Sequence, residues 1–529
     1  MRRASRDRPP GFTGDGMTAA AGDGPAARSL GEVTDAVIAL ADRALLSLAD
    51  PARAQLARIR DALREPVRIA VAGRVNAGKS TLVNALVGQV VAPTDVSECT
   101  RMVTWYRYGS PQRLEIVMRD GTRRRERLGA GGRLPPELGG VLVGEVRCLE
   151  VWLANETLRT MTLIDTPGLA TLTADLHEAA SEFLTSGEDP GAELGLAPGE
   201  VTGVADAIVF TLNSAARQDE AAALRAFREK AGGGADGGTG NAIGVLSKAD
   251  KLAPRGDWWG TAEELAKSLA GQLQEDVVTV VPLAGLIAQT AEGAELIEHD
   301  ASVLARLAEL EPKQLSLLLL SAKRFTGAEP AHIPVVQRER LLAMLDLQGI
   351  SAAIEMIREG TSGAAALREK LSGLSGIAAL RAVITEVFRG KGEALKIRSA
   401  FQAIDRLCGG PAAGVNTAAL LALAEEAERL RLSPLGHQLA EAQVLALCDA
   451  GVVELPDELS GDVRRIASGR TLAERLGVSS GDVQAARQAA LEGNARWRRQ
   501  AVGAAPAVDR VARVLQRSYA LAFEQAGGA

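Results

Sequence analysis

Histidine is scarce in this chain, four residues in 529, and aromatic side chains make up only 3%. His177, His299, His332 and His437 stand alone, none with a partner at metal-ligand spacing, so no histidine-based metal site is expected. Cores this poor in rings must be filled by Ala, Leu and Val, and Ala and Leu enter helices at the least entropic cost. The four cysteines, Cys99, Cys148, Cys408 and Cys448, form no CxxC pair. That spacing argues against a zinc site or a redox dithiol and suits a reducing cytosol. No apolar run reaches the ~20 residues a membrane-spanning helix needs; Val280–Ala288 and Leu315–Leu320 come nearest. The net charge of -6 argues against a coat on phosphate backbones, which requires a basic surface, so no nucleic-acid partner is expected. The basic start, Met1 to Pro10, has no apolar segment behind it. No signal peptide is therefore expected, and the cytoplasm is the expected compartment.

What is present is globular: 47% hydrophobic residues over a length that one core seldom serves. Residues 1–29, rich in Gly, Pro, Arg and Asp, read as a disordered tail. Leu30, Val33, Val37, Leu40, Ala44 and Leu48, then Leu56, Ile59 and Leu63, recur at helical spacing and predict N-terminal helices over 30–65. From 66 to 290 short apolar runs alternate with helical stretches: Val67–Ala72, Arg101–Tyr108, Leu114–Met118, Cys148–Leu153, Met161–Ile164, Ala205–Leu212, Ala242–Leu246 and Val277–Val281. Such alternation predicts an α/β domain with a mostly parallel sheet. Residues 291–529 read as an extended all-α bundle, with helices over Ala301–Ala322, Val335–Asp346, Ile350–Glu359, Ala365–Leu371, Ile377–Arg406, Thr417–Arg431 and Ala507–Phe523.

The strongest chemical signal is Gly73-Arg-Val-Asn76-Ala77-Gly78-Lys79-Ser80, a G-x-x-x-x-G-K-[ST] loop between a predicted strand and a predicted helix. Glycines let the backbone turn its N–H groups toward phosphate, and the helix N-terminus faces the same anion. Lys79 is the expected counter-charge for the β- and γ-phosphates and Ser80 the expected Mg2+ ligand, with Thr81 next to them in the nucleotide site. Asp165-Thr-Pro-Gly168 follows a predicted strand. Its carboxylate is placed to hold Mg2+ through water, and the Gly168 N–H to meet the γ-phosphate; alone, such a sequence would be an ordinary strand-exit turn. Ser247-Lys248-Ala249-Asp250 follows another strand. Its carboxylate can accept two hydrogen bonds that guanine offers and adenine does not, and the Lys248 stem can cover the base. Thr100, between the loop helix and the next strand, is the candidate switch threonine and third Mg2+ ligand. Val281-Pro-Leu-Ala284 is a weaker candidate for contact with the base. The nucleotide these pieces imply is GTP, and the catalytic set is Lys79, Ser80, Thr100 and Gly168.

With these motifs in order, the stretch Val91-Ala-Pro-Thr-Asp-Val-Ser-Glu-Cys-Thr-Arg-Met-Val-Thr-Trp-Tyr-Arg resembles the bacterial dynamin-like GTPases, most of all the shorter of the paired actinobacterial isoniazid-inducible proteins. Ser at position 247 is similar too, and fainter likeness runs through Leu345–Ile357 and Ala495–Arg499. The resemblance implies a dynamin-type GTPase domain with helical neck and trunk. It implies N-terminal helices paired with far C-terminal ones, for which 507–523 is the candidate. It also implies GTP-dependent pairing, with itself or a sister protein, in peripheral membrane remodelling or maintenance. One departure is Val75, where dynamins commonly carry a polar residue that helps position the attacking water; slow hydrolysis is expected. The Leu315–Leu320 run, Arg123–Arg127 and Arg496–Arg499 are candidate lipid contacts, against buried core for the first and solvated faces for the others. Two alternatives fit the same motif order: an Era-type assembly or RNA-associated GTPase, and a regulatory switch without membrane activity. The second draws on a faint helix-turn-helix look in Thr471–Glu492.

Overall fold

The computed structural model describes residues 30–527 except 75, 94–101, 136–137, 139, 167–204, 214–241, 254–256, 274–275, 328–332, 386–391, 410–412, 450–452 and 454. The described chain divides into two compact units, residues 30–439 with 446–452, and residues 440–445 with 453–527. The first unit holds a nine-stranded sheet in the order β4-β3-β5-β2-β6-β1-β7-β8-β9. Its strands are β1 (Val67–Gly73), β2 (Thr104–Tyr108), β3 (Arg113–Met118), β4 (Arg123–Glu126), β5 (Val146–Leu153), β6 (Met161–Asp165), β7 (Ala207–Leu212), β8 (Ala242–Ser247) and β9 (Val280–Leu283). The block from β6 through β9 is parallel throughout, as is β2 with β5. The β2–β6, β3–β4 and β3–β5 pairs are antiparallel.

Strands β1, β7 and β8 are buried along nearly their whole length, which explains why they read as continuous apolar runs rather than alternating ones. One face packs Ile69, Val71, Leu163 and Val209 against the helix α3 (Lys79–Val87) through Leu82, Val83 and Leu86. The other packs Ala70, Ala72, Phe210 and Leu246 against Ala266 and Leu269 of the helix Trp258–Gln272. Leu134, Leu138 and Val141, from the long Gly-rich stretch after β4, are buried in the first of these cores. Strand β4 has no counterpart among the sequence-predicted strands. All four of its residues are exposed, and it forms by edge pairing to β3, with Arg123 bridging Glu115 at 3.1 Å and Glu150 at 2.9 Å.

The N-terminal helices α1 (Gly31–Leu45) and α2 (Ala52–Ala62) pack against helices drawn from residues 392–432. Glu393 accepts from the Leu30 N–H at 2.8 Å at the start of α1. Lys396 donates to the Leu63 and Glu65 carbonyls at 2.8 and 3.1 Å beyond the end of α2, where a cation best offsets the helix dipole. Of the region predicted as one helix over Ile377–Arg406, Ile377–Ile384 and the start of Gly392–Gly409 are helical, and residues 386–391 lie outside the described residues. The two helices predicted over Val335–Asp346 and Ile350–Glu359 are both present: Val335–Arg358 comprises two helices joined across a kink at Asp346, a residue at φ 52 and ψ 179. Only glycine occupies that region freely, at a cost of about 1–3 kcal/mol to other residues. This segment packs on Gly285–Glu292, Glu298–Ala308 and Ala364–Ser375 around Ile287, Leu304, Leu341 and Leu367. In the Leu315–Leu320 run, Leu315 and Leu318 are buried while Leu317 and Leu320 are 56% and 42% exposed. No described helix is long and apolar enough to cross a membrane.

In the second unit the long helices Val483–Ala501 and Pro506–Gly527 lie along one another. The latter carries 507–523, the partner expected above for the N-terminal helices. The contact is close at Gly493, where a Cβ would sit 2.2 Å from the Tyr519 ring. A buried carboxylate, Asp462, ties three helices by accepting from Trp497 Nε1 at 2.7 Å and from the Tyr519 hydroxyl at 2.6 Å, with Arg465 paired to it. The segment with the helix-turn-helix look contributes Leu472–Leu476, capped by Thr471 and Glu474, and the first half of Val483–Ala501.

Candidate functional site

The central strand β1 ends at Gly73, and the chain turns from there into α3 through Asn76 at φ 60 and Gly78 at φ 86. Gly73 sits against β7 so closely that a Cβ would lie 2.0 Å from Thr211 Oγ1 and 2.8 Å from its carbonyl oxygen. Only glycine leaves room for the loop to start there. Gly78 is the N-cap of α3, so the positive end of that helix opens into the loop's concavity. Ala77 is fully buried and Asn76 exposed. Lys79 folds back over the loop and donates to the Arg74 carbonyl at 2.9 Å.

Ser80 Oγ donates to Asp165 Oδ2 at 3.3 Å, joining the first turn of α3 to the end of β6. Burial pushes the Lys79 ammonium below its ordinary value, with Asp165 opposing. Burial likewise pushes the Asp165 carboxyl up to about 6, against the attraction of Lys79 and the Ser80 hydroxyl. Desolvation thus exceeds the mutual attraction of this pair. A phosphate beside Lys79 and a divalent cation beside Asp165 would each offset it. The hydroxyl and carboxylate oxygens are the hard donors that Mg2+ prefers, so the residues present fit that ion. Thr100, Gly168 and Val75 lie outside the described residues.

The second motif converges on the same loop from 172 residues away. Lys248, itself at φ 55, donates from Nζ to the Asn76 carbonyl at 2.7 Å. A Cβ on Gly78 would come within 3.9 Å of Ser247 Cβ. Asp250 follows in a short 3-10 turn, Ala249–Lys251, and is 4% exposed. Burial raises its carboxyl above the ordinary range, with Lys251 opposing and Asp346 adding to the shift. Of the weaker candidate at 281–284, Val281–Leu283 belongs to β9, and the Ala284 N–H donates to the Ser375 carbonyl at 2.9 Å.

Several residues that shape the site escaped sequence reasoning. Asn84, fully buried on α3, accepts from the Val91 and Ala92 N–H groups at 2.9 and 2.7 Å. It donates to the Ala92 carbonyl at 2.9 Å and to Gln289 at 3.0 Å. It therefore anchors the chain just before the segment that carries Thr100. Thr166, Thr211 and Ser247 donate hydroxyl hydrogen bonds to the carbonyls of Val71, Ala72 and Leu212 at 2.9, 3.1 and 3.0 Å. These bonds stitch β6, β1, β7 and β8 together where the loops leave the sheet, and they give Ser247 a role where Asn or Thr is usual. At the far end of α3, Arg381 donates to the Ala85 and Leu86 carbonyls at 2.9 and 3.3 Å and pairs with Glu292.

A mostly parallel sheet whose central strand delivers this loop onto a helix is a P-loop GTPase domain. A family model described as 50S ribosome-binding GTPase matches residues 68–232. Isoniazid-induced protein IniC of Mycobacterium tuberculosis is 33% identical over 458 residues, covering 84% of this chain and 87% of that protein. The chain belongs to the bacterial dynamin-like GTPases, in the group of that protein. The bacterial dynamin-like protein of Nostoc punctiforme is 43% identical over 54 residues, 10% of this chain and 8% of that protein. A solved chain of an oligomerised bacterial dynamin pair, described as providing a mechanism for the long range sensing and tethering of membranes, aligns over 94% of this chain and 90% of its own, at 14% identity and a TM-score of 0.30.

Proposed function

We propose that this dynamin-like protein binds GTP with Mg2+ and hydrolyses it. Its GTPase domains would associate in the GTP state, with a second copy or a sister protein, peripherally at a membrane. The observation that supports the catalytic half is the 2.7 Å bond from Lys248 to the Asn76 carbonyl, which brings the turn 247–250 against the Gly73–Ser80 loop. In this reading Gly73, Asn76, Ala77, Gly78 and Thr81 form the cradle with Lys79. Lys248 covers the base, and Asp250 accepts from its N–H groups. Ser80, Asp165 and Thr100 would hold Mg2+, which when bound offsets charge on the phosphate oxygens. Lys79, desolvated and close to its loop carbonyl, swings onto the β- and γ-oxygens, and the Gly168 N–H meets the γ-phosphate. Asp250→Asn is expected to reduce the GTP-over-ATP preference roughly 10- to 100-fold, the worth of one or two hydrogen bonds to a charged acceptor. Competition binding measures it, and an unchanged ratio would remove Asp250 from the site.

The membrane half rests on family membership, with Leu317 and Leu320 as the exposed apolar side chains nearest to Lys313, Lys323 and Arg324 in sequence. Anionic vesicles are expected to pellet more of the protein with GTP than with GDP. Pelleting with ribosomes or RNA, and not with vesicles, would overturn the membrane reading and leave the nucleotide chemistry standing.

A further inference from the structure

The bend in Val335–Arg358 touches the base motif. Lys251, the residue after Asp250, places Nζ 2.7 Å from Asp346 Oδ2. Asp346 Oδ1 accepts from the Leu347 N–H at 2.7 Å, so each carboxylate oxygen has one donor. Asp346 makes these bonds at φ 52 and ψ 179, at the kink where two helices meet, a conformation that persists only where the surroundings over-determine it. Such strain, at a point of contact with a binding turn, calls for a role there. Lys251 has two carboxylates within its influence, its neighbour Asp250 and the distant Asp346. If its ammonium settled on Asp250, it would occupy the acceptor oxygens that the base requires.

We propose that Asp346 is a specificity-determining residue for the guanine base. It draws the Lys251 ammonium onto itself, 95 residues away in sequence, and leaves the Asp250 carboxylate free to accept from the base. The proposal rests on the reading of Asp250 given above. It makes the long helical segment part of the base site, since the segment must keep its kink for Asp346 to reach the turn. Asp346 acts through Lys251 and Asp250 and is a positioning residue.

Asp346→Asn tests this with little threat to the fold, because Asn matches Asp in size and shape and keeps an oxygen for the Leu347 N–H. Fluorescent-nucleotide titration of the full chain is expected to show GTP affinity falling roughly three- to five-fold, the scale of a partly exposed ion pair, with ATP affinity unmoved. Lys251→Ala is expected to retain wild-type GTP affinity, and the double variant Lys251→Ala/Asp346→Asn to match it. That rescue separates the proposal from a merely structural role. A loss in Asp346→Asn that persists in the double variant, or a GTP affinity unchanged in Asp346→Asn, would overturn the proposal. If Asp250→Asn still reduces the GTP:ATP ratio in that case, the reading of Asp250 survives; if it does not, that reading has failed as well.

Discussion

Lys79→Ala is expected to lower GTP affinity by at least about 100-fold, the cost of leaving a desolvated anion without its partner charge. The side chain is 9% exposed, and its one described hydrogen bond is to the Arg74 carbonyl. Burial therefore leaves its charged form poorly solvated. A β- or γ-phosphate offsets that cost, so the differential interaction is realised only when nucleotide is bound. The same logic separates a binding defect from a folding defect. Burial already disfavours the charged form of Lys79, so removing it costs the nucleotide-free fold little. Calorimetry should find GTP binding lost while the nucleotide-free chain unfolds no earlier than wild type. Equal GTP affinity in the two proteins would reject the site.

The second large effect lies in the C-terminal unit. Asp462 is 2% exposed and accepts from the ring N–H of Trp497 and the hydroxyl of Tyr519, which are 0% and 1% exposed. Asp462→Ala leaves both donors buried without an acceptor and removes the carboxylate paired with Arg465. The expected loss is about 2–5 kcal/mol, the cost of two buried donors left unsatisfied at about 1–3 kcal/mol each. Urea unfolding followed by circular dichroism should show residues 453–527 melting earlier, with GTP affinity unaltered; a midpoint equal to wild type would refute the hub. Alkali offers an independent reading. Burial, then the bond to Asp462, pushes the Tyr519 phenol from its ordinary 10.0 up to about 12. The unfolded phenol ionises first, so this contribution to stability is complete below pH 10 and lost as pH climbs toward about 12.

Much of the GTPase half was legible because its signals are local. A buried parallel strand is a continuous apolar run, and the Gly73–Ser80 loop is eight consecutive residues whose spacing alone fixes their geometry. Strand β4 was not legible because it buries no apolar side chain; its existence depends on β3 offering an edge. The kink at Asp346 was legible, with one helix read as ending there and the next as beginning at Ile350. A single non-helical residue interrupts the periodicity as a loop would. The supporting residues were hidden for a different reason. Thr211 meets Ala72 across 139 residues, Gln289 meets Asn84 across 205, and Arg381 meets Ala85 across 296. Such pairings have no signature in spacing.

The grip of Arg381 on the end of α3 has a mechanical consequence. That helix is nine residues, about 13 Å of stiff rod, with the nucleotide loop at one tip and a guanidinium from 377–384 clasping the other. A rod of two and a half turns does not absorb a twist. The position of the loop end is thereby tied, through one short strut, to the Arg381–Glu292 junction and to the helices 285–292 and 377–384 that meet there.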